Sequence, residues 1–316
     1  MGCQYYRVVG YLFAGQGSQY QGMGKDLYDN FLKAKEIFDK ADKVLGFSIS
    51  NLCFNGTLNE LTKTDNCQPA IVTMSIACWQ AYKEKHPQID GHMAGLSLGE
   101  YSALVAAEAL NFEDAVYLVR QRGKFMEEEA RNFSGKMLSI IGLDLNSVKE
   151  ICKEANAEVA NINCPGQTVI SGAPQAIENA QKLAKEKGAK LAVILEVSGA
   201  FHSSFMKGAS LKLAEELKKI KINAPKFPMI SNVTAKPALT PEEIRQNLID
   251  QVCGSVLWED SMRLILSKGT ANFIEFGPGK VLKGLMRRID PGAQVTNIEK
   301  KEDILSLREA EGDEAI

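Results

Sequence analysis

Histidine is scarce in this chain: His86, His92 and His202 are the three among 316 residues. A base for any activated nucleophile must come from that short list. Neither sign of charge dominates. With 37 Lys and Arg against 39 Asp and Glu, the net charge of -2 gives no reason to expect nucleic acid as a partner. No apolar run approaches the ~20 residues of a membrane span, so no membrane role is expected. The seven cysteines (Cys3, Cys53, Cys67, Cys78, Cys152, Cys164, Cys253) form no CxxC pair and no metal-ligand spacing. They read as reduced, partly buried thiols of a cytoplasmic protein. Met1 to Tyr6 lacks both the apolar core of a signal peptide and the Ser or Thr of a myristoylation signal. Internal repeats and low-complexity segments are absent, and only Glu309 to Ile316 reads as a disordered tail. What is present is an ordinary globular composition, 45% hydrophobic and 24% charged, long enough for about two domains.

The chain is organised around Gly91 to Tyr101, GHMAGLSLGEY, where Ser97 stands between Gly95 and Gly99. The spacing matches a GxSxG nucleophile elbow, a strand turning sharply into a helix with the serine hydroxyl thrust into a cleft. Leu98 to Leu110 is rich in Ala, Leu and Glu and predicts that helix. An oxyanion formed at Ser97 would then meet free backbone N–H groups and the positive end of the helix dipole. The bland alternative is a glycine-bounded turn.

The chain opens with a strand-like run, Arg7 to Ala14, followed at once by Gly15, Gln16, Gly17, Ser18 and Gln19. α/β sheets place ligands at such loops. It is not GxGxxG and no GK[ST] follows, so two readings stand: a phosphate cradle, or a loop that lends a backbone N–H to a neighbouring site. Helices are expected at Lys33 to Lys43 and Ala70 to Lys83, and His92 to Leu96 is the strand entering the elbow. Of the histidines, His86 precedes Pro87 in a charged, solvated loop. His92 lies five residues back along the elbow strand, roughly 16 Å from Ser97 at ~3.3 Å per residue. His202, in SGAFHS just past the apolar run Leu191 to Val197, is the candidate base.

Asn111 is positioned to cap a helix from Phe112 to Ala130. On that helix Ala115, Leu118, Arg122 and Met126 fall on one line, so Arg122 interrupts an apolar stripe while Arg120 points elsewhere. A guanidinium facing the core needs an anion, and its planar fork suits a carboxylate. The anion is either an internal partner or a substrate carboxylate. From Gly135 the rhythm becomes βαββαβ over some 65 residues: strands at Lys136 to Gly142, Glu158 to Asn163, Gln167 to Gly172 and Lys190 to Val197, helices at Asn146 to Ala155 and Pro174 to Lys187. This ferredoxin-like pattern sits between Ser97 and His202 and reads as a small domain inserted into a larger α/β domain, with the site at their interface. Beyond it come a helix from Phe205 to Ile220, a strand from Phe227 to Val233, a helix from Pro241 to Gln251, and a strand at Asn272 to Phe276. No carboxylate after His202 stands out as a triad acid.

GQGSQ at 15–19, GLSLGEYSAL at 95–104, QRGKFM at 121–126, NCPGQTVISG at 163–172, GAFHSSFM at 199–206 and FGPGKVLKGL at 276–285 together resemble one family. It is that of the bacterial malonyl-CoA:acyl-carrier-protein transacylases and the acyltransferase domains of fatty acid and polyketide synthases. The resemblance implies an α/β fold: an α/β-hydrolase-like large domain with a parallel sheet (residues 1–132 and 199–316) and the ferredoxin-like insert (133–198). Carried over residue by residue, it implies Ser97 as nucleophile and His202 as general base, with the backbone amides of Gln16 and Leu98 as the oxyanion hole. It further implies that Arg122 holds a malonyl carboxylate and that Gln251 stands where a hydrolase would place its acid. Phe201, in GAFH, would narrow the space for an α-methyl branch. The implied substrate is malonyl-CoA, with no cofactor. The implied partner is acyl carrier protein, whose phosphopantetheine thiol accepts the malonyl group, and nothing demands more than a monomer. Lys182, Lys185, Lys187, Lys190, Lys283, Arg287 and Arg288 are candidates for meeting an acidic carrier. One departure is Leu96, where many relatives have His. The rivals are a serine esterase or thioesterase, which has no use for Arg122, and a non-catalytic scaffold, which would be expected to have lost Ser97 or His202.

Overall fold

The computed structural model describes residues 8–312, with side chains from 8 to 307, so the expectations for Met1 to Tyr6, Cys3 and Arg7 lie outside the described residues. Two sheets form. The first contains β1 (Val9–Phe13), β2 (Gly91–Gly95), β7 (Met229–Ile230), β8 (Pro237–Ala238), β10 (Asn272–Phe276) and β11 (Gln294–Ile298), in the order β11-β10-β1-β2-β7-β8. All its pairings are parallel except β7 with β8. Buried on both faces, β1, β2 and β10 are short and mainly apolar, as central parallel strands are, with His92, Asn272 and the buried Glu275 as the exceptions. Phe13 registers with both Gly95 and Phe276, which brings the carboxyl ends of the three strands level. That edge is where open α/β sheets bind ligands.

The second sheet contains β3 (Lys136–Ile141), β4 (Glu158–Cys164), β5 (Gln167–Gly172), β6 (Leu191–Ile194) and β9 (Val256–Leu257), in the order β6-β3-β5-β4-β9. Its first four strands are antiparallel and are joined through the helices Leu145–Ala155 and Pro174–Glu186 in the ferredoxin-like βαββαβ order. Those helices bury Val148, Ile151 and Ile177 against Leu138, Ile140 and Ile170. β9 adds a parallel edge beside β4 from a segment far along the chain.

The helix Thr64–Lys85 runs through the centre of the large layer and is buried on nearly every side, as an all-round apolar helix should be. Pro69 lies inside it and cannot donate to the Asp65 carbonyl four residues back. Arg120 Nη1 donates to that carbonyl instead, while its Nη2 pairs with the Asp65 carboxylate at 2.9 Å. The helix is therefore continuous, and it starts before the proline that the sequence pattern took as its boundary.

Several elements differ from expectation. The helix after the elbow, Gly99–Ala106, ends four residues early because Glu108 takes a left-handed φ of 58° and breaks the repeat. Asn111 stands at the N-cap of Phe112–Asn132 without a side-chain capping bond; Glu113 and Asp114 meet the positive end of the helix instead. The strand expected over 227–233 shrinks to β7, since Ser231 starts a turn closed by the Ala235 N–H on its carbonyl. His86 is half-buried and stacks on Tyr82 at 4.5 Å rather than standing free in solvent. The helix Lys301–Gly312 covers the first part of the stretch expected to be disordered, and residues 313–316 lie outside the described residues.

Candidate active site

Ser97 sits at the bend between β2 and the helix Gly99–Ala106 with φ of 51°. Two glycines permit that bend. A Cβ on Gly95 would lie 2.0 Å from the Gly99 backbone, and one on Gly99 would lie 2.2 Å from the Phe13 carbonyl oxygen. The loop after β1 packs against the same bend, since a Cβ on Gly15 would meet the Leu96 carbonyl at 2.6 Å. Leu98 follows Ser97 directly and Gln16 follows Gly15 in that loop, and neither backbone N–H has a hydrogen-bond partner among the described residues. Leu96 turns its side chain toward Gly15 and a small apolar cluster, which leaves no polar group at that position.

The serine Oγ lies 2.8 Å from His202 Nε2. His202 is 5% exposed and has φ of 57°, a left-handed bend held by its neighbours. Ser203 Oγ donates to the Ala200 carbonyl at 2.6 Å, and Ser171 Oγ, from β5, donates to the Phe201 carbonyl at 2.6 Å. The antiparallel sheet therefore pins the loop that carries the imidazole. Phe201 itself is buried in the main core beside it. The other imidazole nitrogen, Nδ1, lies 2.8 Å from the backbone carbonyl of Gln251. Gln251 is the last residue of the helix Pro241–Gln251, which starts on a Thr240–Glu243 capping box. Carbonyls of a last turn lack intrahelical partners and carry the negative end of the dipole. That carbonyl does what a triad acid would otherwise do: it fixes the Nδ1–H tautomer and favours a positive charge on the ring. Burial, and next the charge of Arg122, push the His202 pKa down to about 4, so the ring is neutral and able to accept a proton at neutral pH.

Arg122 is 1% exposed, and its Nη2 is 3.4 Å from the serine Oγ. Its other acceptors are neutral amides: Gln68 Oε1 at 2.9 Å and Gln251 Oε1 at 3.1 Å. Its Nε has no partner among the described residues, and the guanidinium lies 5.9 Å from the Tyr101 ring. Among the described residues no carboxylate is hydrogen-bonded to this cation, whereas Arg120, two residues earlier, pairs with Asp65 and lies over Phe47. The internal salt bridge left open for Arg122 does not form. Burial lowers its pKa, yet an arginine remains charged.

Behind these groups lies a polar layer in which sequence reasoning named Gln251 but missed Asn232, Gln68 and Glu100. Asn232 Oδ1 accepts from the Ser97 N–H at 2.6 Å, and its Nδ2 donates to the Gly95 carbonyl at 2.8 Å, so one side chain braces both sides of the elbow. Gln251 Nε2 donates to the Ser97 carbonyl at 2.9 Å and to Glu100 Oε2 at 2.7 Å. Gln68, one position before Pro69, aims Arg122. Of the three that were missed, only Glu100 left a sequence signal, as an acidic residue on an otherwise apolar helix. His92 stays away from the serine on β2, within 3.4 Å of Thr270 Oγ1.

Among the described residues no group of His, Cys, Asp and Glu is placed to hold a metal, and no helix is long and apolar enough to cross a membrane. The cysteines from Cys53 to Cys253 are free thiols. The arrangement can therefore support acyl transfer through serine: a nucleophile, a neutral base, a free backbone N–H at the elbow and a cation to which no carboxylate is hydrogen-bonded among the described residues.

Comparison with known proteins follows the same line. The family model for the acyl transferase domain matches residues 10–311. The chain is 47% identical over 287 residues to the malonyl CoA-acyl carrier protein transacylase of Bacillus subtilis, covering 89% of this chain and 90% of that one. Among solved structures, the malonyl CoA-acyl carrier protein transacylase of Clostridium perfringens superposes with a TM-score of 0.92 at 40% identity, over 98% of this chain and 100% of that chain. A malonyl-transacylase solved in complex with its holo type II PKS acyl-carrier protein superposes with a TM-score of 0.93 at 38% identity, over 96% and 99%.

Proposed function

The chain belongs to the acyl transferase domain family, and from that premise we propose that it moves a malonyl group from malonyl-CoA to the phosphopantetheine thiol of acyl carrier protein. The observation that carries this reading is the triangle of Ser97 Oγ, His202 Nε2 at 2.8 Å and, at 3.4 Å, the guanidinium of Arg122, to which no carboxylate is hydrogen-bonded among the described residues. A hydrolase of neutral esters needs the first two and has no use for the third.

In the first half-reaction Arg122 holds the malonyl carboxylate, which sets the thioester carbonyl against Ser97. His202 Nε2 takes the hydroxyl proton as Oγ attacks the carbonyl carbon. The N–H groups of Gln16 and Leu98 bear the oxyanion, and the Gln251 carbonyl steadies the imidazolium. Collapse breaks the C–S bond, and His202 returns the proton to the leaving CoA thiolate. In the second half the carrier's thiol loses its proton to His202, its sulfur attacks the malonyl-serine ester, and Ser97 leaves with the proton. The cycle is ping-pong and needs no cofactor. Phe201, beside the base, narrows the space for an α-methyl branch and favours malonyl over methylmalonyl. Residues 1–132 with 199–316 form the catalytic domain, and residues 133–198 form the small domain that braces its histidine. Lys182, Lys185, Lys187, Lys190, Lys283, Arg287 and Arg288 are the basic groups offered to an acidic carrier. The protein works as a cytoplasmic monomer.

Intact-protein mass spectrometry after brief exposure to malonyl-CoA, acetyl-CoA or methylmalonyl-CoA, followed by holo acyl carrier protein, tests the scheme. A malonyl-sized adduct on Ser97 that moves to the carrier is expected. An adduct lost to water at the same rate without the carrier would mark a hydrolase, and no adduct would mark a scaffold. The carrier of fatty acid synthesis is the proposed acceptor. The likeness to a transacylase bound to a type II PKS carrier makes a polyketide carrier the second acceptor to try.

A further inference from the structure

One buried ionisable group has no task in that cycle. Glu100 is fully buried. Its Oε2 accepts from the Asn232 N–H at 3.1 Å and from Gln251 Nε2 at 2.7 Å, whereas its Oε1 has no partner among the described residues. The Gln251 carboxamide connects it to the clamp, since the same side chain gives its oxygen to Arg122 at 3.1 Å. A carboxylate only accepts, so Glu100 forces Gln251 to present its NH2 on one side and its oxygen to the guanidinium on the other.

The free site is thus balanced, with one buried cation and one buried anion on either side of a single amide. A substrate carboxylate on Arg122 would add a second anion to the same dry region. Two carboxylates around one cation leave an uncompensated buried charge, which is relieved most cheaply when one of them binds a proton. The substrate's carboxylate touches the guanidinium directly and stays ionised. Glu100, one amide removed, is the weaker acid: burial pushes its pKa up to about 7 even before a second anion arrives.

We propose that Glu100 is a positioning residue of the acyl site, ionised while Arg122 is unoccupied and protonated when a carboxylate-bearing acyl group binds there. This rests on Arg122 as the carboxylate holder. The proton comes from solvent and goes to Oε1, leaving both hydrogen bonds of Oε2 intact. The Ser231 hydroxyl, close enough to act on the carboxyl and itself without a partner among the described residues, can accept from the new O–H. Arg122 faces Glu100 from the helix Phe112–Asn132, Tyr101 from its own helix, Ser231 and Asn232 from the turn after β7, and Gln251 from the helix Pro241–Gln251. His202 lies beyond Gln251 on that residue's carbonyl. Of these, His202 is the rival proton acceptor, because a neutralised Arg122 would also raise its pKa. A neutral acetyl group would leave Glu100 ionised, so the proton is tied to the charge of the acyl group.

The test is calorimetry of Ser97→Ala protein with malonyl-CoA and with acetyl-CoA, from about pH 6 to about pH 9 in buffers of different ionisation enthalpy. Malonyl-CoA should take up close to one proton near pH ~8, and its affinity should fall by up to ~10-fold per pH unit above about 7. Acetyl-CoA, with the same nucleotide, should take up none and show no such slope. Adding Glu100→Gln should abolish the uptake and flatten the slope while malonyl-CoA still binds more tightly than acetyl-CoA. No uptake in the Ser97→Ala protein, or uptake that persists after Glu100→Gln, overturns the proposal; the second result would put the proton on His202. If malonyl-CoA binds no tighter than acetyl-CoA at any pH, the reading of Arg122 itself fails and this one falls with it. Should the double variant not fold, infrared difference spectra of Ser97→Ala protein with malonyl-CoA isotope-labelled in its carboxyl decide the matter. A new unlabelled carboxylic-acid band is expected, and its absence overturns the assignment.

Discussion

The parallel and antiparallel sheets each bury an apolar core but differ in what polar groups they bury with it. Around the carboxyl ends of β1, β2 and β7 lie Glu100, Arg122, Asn232 and Gln251, each almost wholly shielded from water. The helical side of the antiparallel sheet is an ordinary apolar core of Leu138, Ile140, Ile151, Ile170 and Ile177. Its contribution to the site is indirect, through the Ser171 bond that holds the loop bearing His202. Buried polar networks cost stability unless every member is satisfied, so their concentration at one edge marks where the chain accepts that cost for chemistry.

Substitutions can break or sharpen this contrast. Ser97→Ala should eliminate the covalent adduct and lower malonyl transfer by at least ~10⁴-fold, measured as steady-state transfer to the carrier. Turnover within tenfold of the parent would move the nucleophile elsewhere. Arg122→Ala should lower kcat/KM for malonyl-CoA by ~10²-fold or more, on the basis of two charge-assisted hydrogen bonds, and should lower acylation by acetyl-CoA far less. Equal losses with both donors would remove the clamp role.

A gentler probe is pH. Because burial and Arg122 hold His202 at about 4, the acid limb of Ser97 acylation by acetyl-CoA should lie well below the ordinary histidine range. A limb at ~6.5 would mean that the base is hydrated in solution. For stability the sign is the reverse of a stabilising pair: a depressed histidine pKa favours the unfolded chain as pH falls below its unfolded value, so the histidine contributes to acid lability. The smallest effect on catalysis is expected from the other sheet. Ile170→Ala should lower unfolding free energy by ~2–4 kcal/mol in denaturant titrations and leave kcat per folded molecule near that of the parent. A large fall in kcat with little loss of stability would show that the small sheet participates in chemistry beyond bracing.

Ser97 was legible because an elbow is a local object: five residues, two of them glycines whose Cβ atoms would collide with backbone. His202 was legible because only three imidazoles exist and one is presented past a strand end. Arg122 stood out as a charge on an apolar stripe, though only packing could show that no carboxylate is hydrogen-bonded to it among the described residues. The βαββαβ order was legible too, since its elements are long enough for periodicity to appear, whereas β7, β8 and β9 are two residues each and leave no pattern.

The sequence by itself determined the α/β class, the inserted antiparallel unit and the three groups that face one another in the site. Tertiary structure decided how those groups are held. Asn232 reaches Ser97 across 135 positions and Gln251 across 154, and the partner of His202 is a main-chain carbonyl that any residue could have supplied. Hydrogen bonds between distant segments follow from where helices end and strands stop, and those ends are set by packing rather than by any local pattern of residues.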